Sequence, residues 1–126
     1  MEFPRDLKYT KDHEWIRLEG DRGVVGITDY AQSELGDIVY VDLPPAGKKI
    51  RQGESMGTIE AVKAVSDLFA PISGEVVEVN TGLEKASDMV NKDPYGNGWM
   101  IKIRLSDPRE TSSLLDDSAY RALIGK

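Results

Sequence analysis

The segment GTIEAVKAVSDLFAPISGEVVEV, residues 57–79, constrains the fold of this chain most tightly. Small and β-branched residues dominate it, and these fit a pleated surface better than a helix. Pro71 and the Ser73-Gly74 pair cut it into strand-sized pieces. One cation, Lys63, interrupts the apolar run between Ala61-Val62 and Ala64-Val65. A lysine in such a setting has two readings. It is a strand charge that discourages edge-to-edge aggregation, or an amine held at a hairpin tip for covalent modification. Ala61 and Ala64 leave room for a modifying enzyme, and Glu60 adds a local charge. Val62-Lys63 is neither Asn-Gly nor Asp-Gly, the pairs that favour a two-residue turn, so the pattern leaves both readings open.

The rest of the chain repeats the β signature. HEWIRLEGDRGVVGIT predicts strands at Glu14–Leu18 and Gly23–Ile27, joined by a turn at Glu19-Gly20-Asp21-Arg22. Thr28 is placed to cap a short helix, with Asp29 in its first turn and Gly36 just past its end. DIVYVDLPPAG is a strand stopped by Pro44 and Pro45, and KKIRQGESMGTIEAV is two strands around a turn at Gly53. NKDPYGNGW is dense in turn residues. In the strand that follows, Trp99, Ile101, Ile103 and Leu105 share one face, and Met100, Lys102 and Arg104 the other. Trp15 and Trp99 suit a core. GDIVYV (36–41) and GEVVEV (74–79) echo one another, which is compatible with a quasi-two-fold sandwich.

The tail changes character. Asp107, Pro108 and Glu110 form a helix-start signature, and Leu114, Leu115, Ala119, Leu123 and Ile124 suit short amphipathic helices packed on the sheets over 107–124, with Gly125 ending them. The 126 residues are expected to form a single domain, 1–126, with that helical segment at its end.

Composition removes several kinds of chemistry. The net charge of −6 disfavours nucleic-acid binding, which needs clustered cations. No apolar stretch approaches the roughly 18 residues of a membrane span. There is no cysteine and one histidine, His13. Thiolate metal sites, cysteine nucleophiles and histidine-rich metal sites are therefore excluded, and a metal site is not expected. No Gly-rich phosphate loop is present, so an enzyme is disfavoured. The N-terminus lacks the features of a signal or transit peptide, which fits a bacterial cytoplasmic protein or a mature mitochondrial form. Asp29, Glu34, Asp37 and Asp42 form a local acidic patch, read as a solvated face or as a docking surface for basic partners.

The segment around Lys63 closely resembles the lipoyl-lysine segment of the glycine cleavage system H proteins, in which E-[SA]-V-K-A is followed by P-[IV]-S-G-x-[IV]. KYTKDHEW, VGITDYAQSELGDIVYVDLP, NTGL, PYGNGWMIKI and LLDDSAYRALI agree in order and spacing, so the resemblance runs from about Leu7 to Ile124. Biotin carriers typically read A-M-K-M, and lipoyl domains of 2-oxo-acid dehydrogenases D-K-A. This chain has Val62-Lys63-Ala64.

The resemblance implies a mainly β barrel-sandwich hybrid with a short helix in its N-terminal half and short C-terminal helices. It implies lipoic acid bound covalently to Lys63, within the flanking motif Glu60, Ala61, Val62 and Ala64, and a carrier with no active site of its own. Its partners would be glycine decarboxylase (P protein), aminomethyltransferase (T protein), dihydrolipoyl dehydrogenase (L protein), and a lipoate ligase or octanoyltransferase. The carried aminomethyl group is labile in water and cationic at neutral pH. In that context Glu14 and Asp67, helped by Asp12 or His13, are expected to line the arm-docking site, where a carboxylate holds the ammonium and a cleft excludes water. Taken alone, the same residues read as a solvated polar strand end. A lipoyl donor or relay in lipoate metabolism, and an unmodified interaction module, are the competing readings.

Overall fold

A computed structural model describes residues 1–126. Its strands are β1 (Lys8–Tyr9), β2 (Glu14–Glu19), β3 (Arg22–Ile27), β4 (Ile38–Asp42), β5 (Lys49–Ile50), β6 (Ser55–Ala61), β7 (Val65–Phe69), β8 (Gly74–Val79) and β9 (Ile101–Leu105). Six of them form one sheet in the order β1-β2-β3-β9-β8-β5, and the other three form a second in the order β4-β6-β7. All neighbouring strands run antiparallel. The helices are α1 (Asp29–Leu35), α2 (Met89–Lys92) and α3 (Asp117–Ile124), with 3-10 turns at Thr81–Glu84 and Pro108–Ser113. This is the mainly β, two-sheet architecture with short helices that the resemblance implies. The two echoing hexapeptides contribute β4 and β8, one in each sheet.

Strand alternation explains the core. Successive side chains point to opposite faces, so Trp15 and Val24 face one way while Ile16 and Val25 face the other. The second pair joins Val76, Ile101 and Ile103 against Ile38, Val41, Ile59 and Leu68 of the smaller sheet, filling the space between the sheets. Each fully buried aliphatic side chain there contributes roughly 1.5–3 kcal/mol. Trp15 and Val24 build a second cluster on the outer face with Phe3, Leu7, Tyr9 and Tyr120 of α3. The Trp15 indole N–H donates to the Pro94 carbonyl at 2.9 Å, which ties the turn-rich stretch to the large sheet.

The helix after β3 starts and stops where its signals place it. The Thr28 hydroxyl accepts the Ala31 N–H at 3.1 Å, and Gly36, at φ 81°, ends α1 with a backbone conformation suited to glycine.

Three expectations are corrected. Met100 is fully buried in the main core rather than on the polar face, because the regular strand begins only at Ile101 and Trp99 packs against the outer cluster. Asp107 does cap the turn at Pro108–Ser113, accepting the Arg109 N–H, but that turn is 3-10. Glu110 reaches across to Ser73, accepting its N–H at 2.6 Å and its hydroxyl at 2.8 Å, instead of folding back on its own cap. The third concerns the last helix. Its packed face carries Tyr120 and Ile124, one turn apart, while Ala119 and Leu123 are exposed. No helix is long and apolar enough to cross a membrane.

Candidate functional site

Lys63 sits at the tip of the β6–β7 hairpin. Glu60 pairs with Val65, and the Ala61 N–H donates to the Ala64 carbonyl at 2.8 Å, so Val62 and Lys63 are the two turn residues. A further bond, from the Val62 N–H to the Asp37 carbonyl at 2.9 Å, fastens the tip to the chain entering β4. That anchor replaces the turn chemistry that Asn-Gly would supply. Lys63 is exposed, as are Val62 and Val65 on either side (72% and 66%), and Ala64 beside it. The amine is on a tip rather than along an edge strand, which removes the anti-aggregation reading. Its stem lies over the end of α1: a Cβ built on Gly36 would stand 3.6 Å from Lys63 Cδ.

Beside that stem, a cleft of about 280 Å³ opens between the residue 10–14 turn, α1 and the hairpin. Asp12, His13, Glu14 and Asp67 all line it. Ile27, Ala31, Leu35 and Ile59 give it an apolar floor. Residues far apart in sequence meet here because β2 and α1 flank the hairpin edge. Tyr30 and Ser66, which the sequence does not mark, line it too, as does Glu34, which the sequence places only in the acidic patch. A signal for two of them existed: Tyr30 and Glu34 are one turn apart on α1, as are Ala31 and Leu35.

Glu14 opens β2 on the same face as Ile16, so alternation turns its carboxyl inward. It is 2% exposed. The Thr10 hydroxyl donates to it at 2.7 Å, and the Phe69 backbone N–H also bonds it. Burial outweighs these bonds and, with Asp12 nearby, raises its pKa to about 8. The carboxyl is therefore mostly protonated at neutral pH. A second cavity, of about 360 Å³, shares Asp12 and Glu14 with the first, so Glu14 stands in the wall between two openings.

His13 is the one non-glycine residue with positive φ, at 71°. Its N–H donates to the Thr10 carbonyl at 3.1 Å and its carbonyl accepts the Thr28 N–H at 3.0 Å. Its Nδ1 lies 2.8 Å from the Tyr120 hydroxyl. Burial lowers its pKa below the ordinary value, against the opposing pull of Asp12 and Glu34. Asp67 and Asp12 remain exposed, and Asp67 accepts a bond from the Ser55 hydroxyl at 3.2 Å. The cleft thus has exposed acidic side chains at its rim and a buried, largely neutral acid at its depth.

The largest cavity, about 720 Å³ beside Lys49, Arg51 and Arg104, contains none of these residues. No three His, Asp or Glu side chains are arranged to hold a metal ion.

The family model described as Glycine cleavage H-protein matches residues 7–126. The chain is 59% identical to the glycine cleavage system H protein of Chlorobium limicola over the whole of both chains. It is 56% identical to that of Bacteroides thetaiotaomicron over 98% of each. Its fold superposes on the crystal structure of a glycine cleavage system H protein from Mycobacterium marinum with a TM-score of 0.90, at 41% identity, covering 98% of this chain and 100% of that one. With the family model spanning almost all of the sequence, the chain belongs to the glycine cleavage H-protein family.

Proposed function

We propose that the protein is the lipoyl-lysine carrier of the glycine cleavage system, with lipoic acid attached to Lys63. The observation that carries this is the placement of an exposed lysine tip immediately beside a cleft lined by apolar side chains and four carboxyl groups. The site fits such an arm: Lys63 is accessible for acylation, and the apolar floor of Ile27, Ala31, Leu35 and Ile59 suits a hydrocarbon chain. Bound there, lipoic acid would supply the sulfurs that this cysteine-free chain lacks, one of which would carry the aminomethyl cargo.

The chain's own residues hold and shield that cargo. Asp67 at the rim attracts its ammonium, assisted by Asp12. Glu14 meets it inside. A cation next to Glu14 favours the carboxylate, so docking lowers the Glu14 pKa and releases its proton, converting a neutral acid into an ion-pair partner. The buried setting strengthens that pair and keeps bulk water from the labile C–N bond. Withdrawn from the cleft, the arm would present the cargo to aminomethyltransferase after loading by glycine decarboxylase, and its dithiol to dihydrolipoyl dehydrogenase. A lipoate ligase or octanoyltransferase would modify Lys63 in the cytoplasm.

Intact mass after incubation with lipoate and a lipoate ligase tests the attachment. The expected result is one lipoyl increment that Lys63→Arg abolishes. Loaded by glycine decarboxylase, Glu14→Ala/Asp67→Ala protein should release formaldehyde faster than the wild type. Equal decay would remove these carboxyls from the docking role.

A further inference from the structure

The C-terminal helix is wired into the cleft through one hydroxyl. Tyr120 is fully buried, its ring stacked on Tyr9 at 4.9 Å and met edge-on by Phe3 at 5.7 Å. Its oxygen lies 2.8 Å from His13 Nδ1 and 2.8 Å from the Thr28 hydroxyl. Thr28 in turn caps α1 through the Ala31 N–H. A single oxygen from the end of the chain therefore joins two walls of the cleft, the residue 10–14 turn and α1.

We propose that Tyr120 is a positioning residue: anchored by Thr28, its hydroxyl donates to Nδ1 of His13 and holds the neutral imidazole in the cleft wall with the ring proton on Nε2.

Hydrogen-bond bookkeeping supports this direction. A neutral imidazole has one donor and one acceptor nitrogen, and the partner of one fixes the role of the other. With the Tyr120 O–H donating to Nδ1, the Thr28 hydroxyl donates to the Tyr120 oxygen while accepting the Ala31 N–H, and both hydroxyls are satisfied. Asp12 and Glu34 act on the ring through their charges, so the Tyr120 hydroxyl is the group that distinguishes its two nitrogens. Tyr30, at 5.2 Å from the ring centre, limits its movement on the α1 side. The left-handed backbone of His13 is sustained by this surrounding frame.

The test uses the full chain, in which His13 is the only imidazole and gives one assignable signal. Nitrogen-15 spectra of the unmodified wild type should show a bare Nδ1 and a protonated Nε2. In Tyr120→Phe, which keeps the stacked ring and so the burial of His13, the two tautomers should mix. Thr28→Ser, which keeps the anchoring hydroxyl, should preserve the wild-type tautomer. A wild-type ring protonated at Nδ1, or a Tyr120→Phe ring with an unchanged tautomer, overturns the proposal. The wild-type measurement decides even if the variant fails to fold. The consequence for cargo rests on the carrier reading above: lipoylated, loaded Tyr120→Phe should lose formaldehyde several-fold faster, and an unchanged lifetime beside an altered tautomer overturns the positioning role. If the wild type accepts no cargo at all, the carrier reading fails, while the imidazole measurement still stands by itself.

Discussion

Glu14 shows how one residue's environment sets its charge. Its folded pKa, about 8, lies above the ordinary 4.5, so between those values the folded state binds more protons than the unfolded chain. Stability therefore falls as pH rises through that window, and is fully retained only below it. Glu14→Gln keeps the shape and the acceptor for Thr10 but cannot ionise. Its stability relative to the wild type should grow by roughly 4 kcal/mol between pH 5 and pH 9, from the pKa gap at about 1.36 kcal/mol per unit. Urea unfolding at the two pH values measures it. His13, whose pKa is lowered, pulls the opposite way at lower pH but is common to both proteins and cancels in the difference. Parallel pH profiles would show that Glu14 is ionised in the folded state. The same carboxyl explains why a charged residue is tolerated two positions before Ile16 in a core-facing strand: at neutral pH it is mostly an uncharged, hydrogen-bonded acid.

At the scale of elements, legibility followed locality. Thr28, Asp29 and Gly36 define α1 through bonds within a few residues, and the observed helix has the expected bounds. The Lys63 turn was only half legible, because its support comes from Asp37, some 25 positions away. Met100 and Glu110 were misplaced for the same reason: a strand that starts late, and a carboxylate drawn to Ser73, are tertiary facts. In the cleft, Asp12, His13, Glu14 and Asp67 were legible through the family pattern, whereas Tyr120 was not, because nothing local marks a helix tyrosine as the partner of residue 13. Close packing of elements is testable at β3. Gly26 pairs with Trp15, and a Cβ there would stand 2.7 Å from the indole ring, which its bond to Pro94 holds in place. Gly26→Ala should cost about 3 kcal/mol through overpacking and shift the Trp15 indole N–H resonance. Gly20→Ala, with open space around it and strain only from φ 65°, should cost about 1 kcal/mol and leave that resonance in place. Equal costs would mean that the indole yields.

Across the whole molecule, two apolar clusters share the same strands. Trp15 and Ile16 are neighbours on β2 but belong to different clusters, and so do Val24 and Val25 on β3. A disturbance on the outer face must therefore reach the inner one through the sheet between them. The last helix covers that outer face: Tyr120 fills it, and Leu115 fastens the approach by pairing with Tyr9, the N–H of each donating to the other's carbonyl at 2.7 and 2.8 Å. A chain ended at Leu115 keeps this bridge but loses Tyr120. It should be less stable by about 4 kcal/mol, the scale of removing a buried aromatic side chain. Because the clusters share β2 and β3, the loss should appear as one earlier cooperative transition, with tryptophan fluorescence and far-ultraviolet circular dichroism coinciding. Two separated transitions would show instead that the space between the sheets holds itself together, and that the helix closes only its own face.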